Sequence, residues 1–320
     1  MEERSAFTVH ASVAMPSWQA RVSNAAVRTL VRRRDWGNVA VVARRARLVF
    51  GAPWPYQWIT RQGLQWRRLN EAGISAEWLI PESPARGTVL YIHGGGFVSC
   101  SAATHRPITG SLARRAGSAV FSTNYSLAPE HPFPAALDDV VAAYRWLLRK
   151  TNGAPVALAG DSAGGGLALS LAIHARDHGL PAPACVVLFS PWTDLAGRGA
   201  SLHANAGRCA MFRPENIPAF AAVYLGAAAP DDPRASPVYA DLHGLPPLLL
   251  QVGSTELLLD DAQRVHERAT EAGTESRLTV YDDVHHGWQM LTPLVPEARA
   301  ALAEAATFIR SHLDVARDAV

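Results

Sequence analysis

Beyond Gly63 the chain settles into a rhythm that few folds satisfy. Short apolar runs at 88–93, 119–124, 156–159, 185–190, 248–252 and 278–281 are separated by helical stretches at about 105–116, 135–150, 163–177, 261–272 and 296–311. Runs this short and this continuously apolar read as strands buried on both faces, and strands alternating with helices give a mostly parallel sheet covered on both sides. Residues 65–69 and 76–80 supply an antiparallel pair at its start. With 320 residues the chain can bury a full core, as one elaborated α/β domain or two smaller ones.

Two segments depart from the rhythm. Residues 17–34 set Trp18, Val22, Ala26, Leu30 and Val31 at helical spacing with Arg21, Arg28 and Arg32 elsewhere on the wheel, which predicts an amphipathic helix with a solvated arginine face. A second helix is expected over about 35–50, ended by Pro53 and Pro55. In residues 194–236, Gly197, Gly199, Gly207, Pro214, Pro218, Pro230 and Pro233 interrupt short helical pieces between two strands. That irregularity predicts part of a lid over the carboxyl ends of the sheet, where open α/β folds bind ligands.

The chemistry concentrates at two glycine-rich turns. Gly160-Asp161-Ser162-Ala163-Gly164 follows one apolar run and opens a helix, the context of a nucleophile elbow, in which Ser162 sits on a sharp strand-to-helix turn and the Ala163 N–H faces the reacting oxygen. Gly94, Gly95 and Gly96 follow the run ending at His93, and backbone N–H groups there can approach an oxyanion without side-chain obstruction. Phosphate cradling is the rival, but Lys150 is the one lysine and position 99 is serine, so neither a P-loop nor a dinucleotide fingerprint is complete. His93, at a strand end, is expected to shape the loop rather than act as base.

In the chain order of such sites the acid and then the histidine follow the serine. His285 and His286 both qualify by position, and Gly287 leaves His286 room to swing over the elbow. For the acid, Glu256, Asp260 and Asp261 compete. Asp260-Asp261-Ala262-Gln263 reads as a helix start, with Asp260 as N-cap, Gln263 in the capping-box position and Asp261 in the first turn. Glu256 has no such duty and is expected to orient the histidine. His266-Glu267 lacks a second histidine four residues on, so a helical zinc site is not supported.

Composition narrows the partners. A formal net charge of +2 offers no electrostatic footprint for nucleic acid. Cys100, Cys185 and Cys209 are too few and scattered for a disulfide framework, which fits a reduced compartment. Neither a secretory signal nor a membrane-spanning run is readable, so a cytoplasmic protein without stable membrane insertion is expected. A small-molecule substrate is the expected partner; a homodimer is left open.

The residues resemble the hormone-sensitive lipase family of α/β-hydrolases, in its bacterial esterase branch. The resemblance covers about residues 85 to 290 and rests on His93-Gly-Gly-Gly-Phe97, on the run from Tyr125 to Ala135, on Gly160-Asp-Ser-Ala-Gly-Gly165, on Ser190-Pro-Trp-Thr-Asp194 and on His286-Gly-Trp288. It implies an α/β-hydrolase fold: a mostly parallel eight-stranded sheet with helices on both faces and a helical cap, divided as N-terminal cap helices over 1–55 and a catalytic domain over 56–320 with a cap insertion at about 194–236. By the same resemblance Ser162 is the nucleophile, His286 rather than His285 the base, Gly95, Gly96 and Ala163 the oxyanion donors, and Gly94 the residue that sets the turn. The family's acid is most often aspartate, so Glu256 is a departure. The implied activity is hydrolysis of short-chain acyl esters with no metal or cofactor. An amide or N-acetyl hydrolase using the same site is the enzymatic alternative, and a non-catalytic small-ligand-binding module, as in plant receptors that resemble the family without its histidine, is the alternative of another class.

Overall fold

The computed structural model describes residues 9–11, 15–32, 39, 60–83 and 85–318. The helix expected over 35–50, apart from Val39, and with it most of the N-terminal region 1–55, lies outside these residues. The strands are β1 (Val9–Ala11), β2 (Leu64–Glu71), β3 (Ile74–Pro81), β4 (Thr88–Ile92), β5 (Ala119–Asn124), β6 (Val156–Asp161), β7 (Val186–Phe189), β8 (Leu248–Gly253) and β9 (Ser276–Tyr281). They form one sheet in the order β1-β9-β8-β7-β6-β4-β5-β3-β2, in which β3 alone runs against the rest. The eight expected strands are present, and β1, paired in parallel with β9 at one edge, is a ninth. β2 and β3 are joined through Ala72 and Gly73, both at positive φ, the backbone that a two-residue hairpin of this twist requires.

The helices are α1 (Trp18–Val27), α2 (Arg106–Ala116), α3 (Ala135–Lys150), α4 (Ala163–Asp177), α5 (Ser201–Ala204), α6 (Asn216–Leu225), α7 (Leu259–Glu271) and α8 (Pro296–Asp318). Side chains alternate along a strand, so each central strand feeds two cores. Leu90 and Ile92 of β4, Val156 and Leu158 of β6 and Val186 and Leu188 of β7 join the core that includes residues of α3, α4 and α7. Val89, Tyr91, Ala157, Ala159, Val187 and Phe189 join the core built with α2 and α8. Each fully buried leucine, isoleucine or phenylalanine contributes about 1.5–3 kcal/mol, and burial on both faces leaves the strand ends as the places where function can sit.

At the N-terminus the helix is where it was expected, but not the face. Trp18, Val22 and Leu30 are exposed, while Ala20 and Asn24 are buried. Polar anchors set this orientation: Asn24 Nδ2 donates to the Asp283 carbonyl at 2.6 Å, and Ser17 donates its N–H and hydroxyl to Glu297 at 2.6 and 2.8 Å. Nor are all the arginines simply solvated. Arg28 donates to the carbonyls of Gly207 and Arg208, and Arg32, in the π-helical turn Arg28–Arg32 that extends α1, donates to those of Ala206 and Cys209. The N-terminal helix is therefore fastened to the 194–236 insertion, which carries α5 and α6. No helix among the described residues is long and apolar enough to cross a membrane.

Candidate active site

β6 delivers Ser162 to the carboxyl edge of the sheet, and α4 begins at the next residue. Ser162 has φ 55° and ψ −125°, a strained backbone for a residue with a side chain. The turn closes because two neighbours have no side chain. A Cβ on Gly160 would lie 2.4 Å from the Gly164 oxygen, and one on Gly164 would lie 2.2 Å from the Ile92 oxygen and 2.4 Å from that of His93. The Ala163 N–H heads α4, where no intrahelical acceptor exists.

The His286 imidazole follows β9, and its Nδ1 stands 2.5 Å from Glu256 Oε2. Glu256 lies in the turn between β8 and α7 and is buried, and its other oxygen accepts the Ser190 hydroxyl at 2.6 Å and the Gly253 N–H at 2.7 Å. Ser190 and Gly253 thus donate to one oxygen of the carboxylate and leave the other facing the ring. Ser190, at φ 44° just past β7, was not singled out in the sequence, although it heads the Ser190–Asp194 motif. His285 turns away: its Nδ1 meets the His286 carbonyl at 2.9 Å, and burial pushes it below the usual histidine range.

Asp261 lies in the first turn of α7 as expected, whereas the N-cap duty expected of Asp260 falls elsewhere. Leu258 is the N-cap of α7, so Asp260 is not the cap; its Oδ2 accepts the Ser201 N–H of the insertion at 3.0 Å. The helix starts two residues earlier than expected, and the Asp260 carboxylate is spent on a tertiary contact. Asp261 Oδ2 accepts the N–H groups of Thr193 and Asp194 at 2.7 and 2.8 Å, rooting the insertion where it leaves the sheet. Burial pushes the Asp261 carboxyl up to about 7 against the pull of the Thr193 N–H.

Opposite Ser162 lies the glycine loop. Gly94 gives its N–H to Asp161 Oδ1 at 2.9 Å, and a Cβ there would strike that side chain at 2.3 Å. Gly95 and Gly96 have φ 118° and 62°. Among the described residues neither of their N–H groups finds a protein acceptor. His93 stacks on Tyr125 with ring centroids 4.3 Å apart, and burial drives its imidazole down to about 3, so it is a neutral support of the loop.

The insertion supplies the wall. Phe212 sets its ring edgewise on His286 with centroids 5.2 Å apart, and Phe220 lies where a Cβ on Gly96 would meet its Cδ1 at 2.9 Å. Asn205 donates its amide to the carbonyls of Ser254 and Glu256 at 3.1 and 2.8 Å, tying the insertion to the acid's turn. Among the described residues no cluster of three or more histidine, cysteine, aspartate or glutamate side chains could hold a metal ion.

A strained serine at the carboxyl edge of a mostly parallel sheet, ahead of the helix that begins at Ala163, is the mark of the α/β-hydrolase class. The chain belongs to that family: residues 89–290 match the model of a family with the alpha/beta hydrolase fold. Within it the chain belongs to the bacterial hormone-sensitive lipase branch. A crystal structure of an esterase of that branch superposes with a TM-score of 0.83 at 38% identity, over 94% of this chain and 100% of the other. An acetyl-hydrolase of Streptomyces hygroscopicus is 43% identical over 240 residues, 74% of this chain and 80% of its own length. An esterase of Acinetobacter venetianus is 37% identical over 250 residues, 78% of this chain and 82% of its own length.

Proposed function

We propose that this carboxylic ester hydrolase cleaves short-chain acyl esters through Ser162, His286 and Glu256. The observation that carries the reading is the Glu256 carboxylate, held on one oxygen by Ser190 and Gly253 and presenting the other to His286 Nδ1. A carboxylate so placed keeps the Nδ1 proton on the ring and leaves Nε2 free to take the serine proton. Ser162 then attacks the ester carbonyl, the N–H groups of Gly95, Gly96 and Ala163 hold the oxyanion, and His286 returns the proton to the leaving alcohol. Water, deprotonated by His286, hydrolyses the acyl-enzyme and regenerates the serine.

The short-chain preference is supported by Phe212 and Phe220, which crowd His286 and Gly96 from the insertion. On this reading the N-terminal helix and residues 194–236 together form the cap, clasped by Arg28 and Arg32. Each methylene that finds apolar wall gains about 0.8 kcal/mol and one without room costs strain, so kcat/KM over a series of p-nitrophenyl esters should rise over the first few carbons and then fall. Long-chain esters cleaved best would refute the short-chain assignment.

A further inference from the structure

Behind the glycine loop lies a buried cluster that the acyl-transfer steps do not use. Asp161, which precedes the nucleophile, is buried and accepts on Oδ1 from the Tyr91 hydroxyl at 2.6 Å and the Gly94 N–H at 2.9 Å. Its Oδ2 lies 3.2 Å from Nε2 of His105, the residue ahead of α2. The other ring nitrogen, Nδ1, meets Thr104 Oγ1 at 2.9 Å and the Ser101 carbonyl at 3.3 Å. The Thr104 hydroxyl also reaches that same carbonyl at 2.7 Å, and with its proton there it presents a lone pair to His105. Acceptors therefore face both nitrogens of the ring, and the network is satisfied when both carry protons.

We infer that His105 is an imidazolium paired with the Asp161 carboxylate, and that it cancels a negative charge which would otherwise stand behind the oxyanion loop. The inference rests on the reading of Gly95 and Gly96 as oxyanion donors. Asp161 fixes the Gly94 N–H, the first of the loop's three, so that the next two are left for the oxyanion; this makes Asp161 a positioning residue and His105 its counter-charge. Burial alone would drive the imidazole toward neutrality, but the Asp161 charge and hydrogen bond outweigh it and hold His105 above the usual histidine range. The His105 charge and the bonds from His105, Tyr91 and Gly94 in turn outweigh burial and hold Asp161 below the usual carboxylate range.

The other titratable groups facing the pair are neutral. Burial raises Tyr91 and Tyr125, pushes Cys100 up to about 11 and lowers His93 to about 3. Arg106, next to His105, is engaged by Glu77 of β3 through two nitrogens. No other cation among these groups offsets Asp161. One residue separates Gly94 from Gly96, so their N atoms are at most about 7 Å apart, and with a hydrogen bond of about 3 Å at each end the carboxylate and a developing oxyanion lie within about 13 Å. At an effective dielectric constant of about 20, an unpaired charge there slows turnover by about 10- to 10²-fold.

The test separates charge from shape. His105→Gln leaves Asp161 uncompensated, whereas the double variant His105→Gln, Asp161→Asn restores a neutral, bonded network. With p-nitrophenyl acetate, His105→Gln should lose about 10- to 10²-fold in kcat with KM within about 3-fold of wild type, and the double variant should recover several-fold over the single one. A single variant with wild-type kcat, or a double variant no faster than the single one, overturns the inference. Should His105→Gln not fold, nitrogen-15 spectra of the wild-type enzyme decide: both His105 nitrogens protonated at neutral pH supports the ion pair, and a neutral ring refutes it. These spectra do not depend on turnover. Turnover that survives in Ser162→Ala would instead overturn the underlying reading.

Discussion

Replacing Glu256 by glutamine keeps the size of the side chain but removes its charge and turns one acceptor oxygen into a donor. In the wild type three groups converge on the carboxylate: Ser190 Oγ and Gly253 N donate to one oxygen, and His286 Nδ1 meets the other. The amide offers one oxygen, and two of the donors cannot turn away, since Ser190 is buried at a strand end and the Gly253 N–H is backbone. The oxygen therefore stays with Ser190 and Gly253, and the NH₂ faces His286. The ring then has to accept at Nδ1 and carry its proton on Nε2, the nitrogen that should take the serine proton. The analogous acid-to-amide change in another serine hydrolase costs about 10⁴ in kcat through the same tautomer trap, and a loss of that order is expected here. The fold should survive, because the two bonds that root the side chain persist. Asp260→Asn is the control: Asn keeps an oxygen for the Ser201 N–H, so it should cost no more than about 1 kcal/mol of stability and leave kcat near wild type. Initial rates on p-nitrophenyl acetate, read beside a melting curve, check both. More than a tenth of wild-type kcat in Glu256→Gln, or an inactive Asp260→Asn that melts normally, would refute the assignment of the acid.

Two further outcomes follow from the same geometry. Gly164→Ala forces a Cβ to within 2.2 Å of the Ile92 oxygen and should cost about 3 kcal/mol or more, visible as a lowered Tm or loss of soluble protein; a normally melting variant would contradict the packing of the elbow. Asp261, pushed up to about 7 in the folded protein against about 3.9 in an unfolded chain, holds its proton longer when folded. Its contribution to stability is fully present below about pH 4 and is lost as pH rises through 7. Asp261→Asn cannot ionise, so its Tm should fall less than that of wild type between pH 5 and pH 8; parallel curves would place the titration elsewhere.

Much of this was legible in the sequence, for reasons that differ by residue. The central strands were readable because a parallel sheet buries both faces and so leaves continuous apolar runs such as Val186–Phe189. The elbow was readable because Gly160 and Gly164 stand where any side chain would strike the backbone of β4 or of the turn itself. What eluded the sequence depends on partners distant in the chain. Ser190 lies 66 residues from Glu256 yet donates to its carboxylate. Asp260 resembled a cap because local pattern cannot register that Ser201, 59 residues earlier, claims its carboxylate. The wheel of α1 indicated a helix but not its inward face, which Asn24 and Ser17 settle by bonding Asp283 and Glu297. The Asp161 and His105 pair escapes local pattern, since Asp161 sits in the elbow motif and His105 lies 56 residues earlier outside any motif.

The central claim is that Ser162 carries the acyl group between two half-reactions. Wild-type enzyme mixed with p-nitrophenyl acetate, quenched in acid within the first turnover and digested, should yield one acetylated peptide, that containing Ser162, and Ser162→Ala should yield none while losing on the order of 10⁶ in kcat. An acetyl group on any other residue, or rapid turnover by Ser162→Ala, would contradict the account.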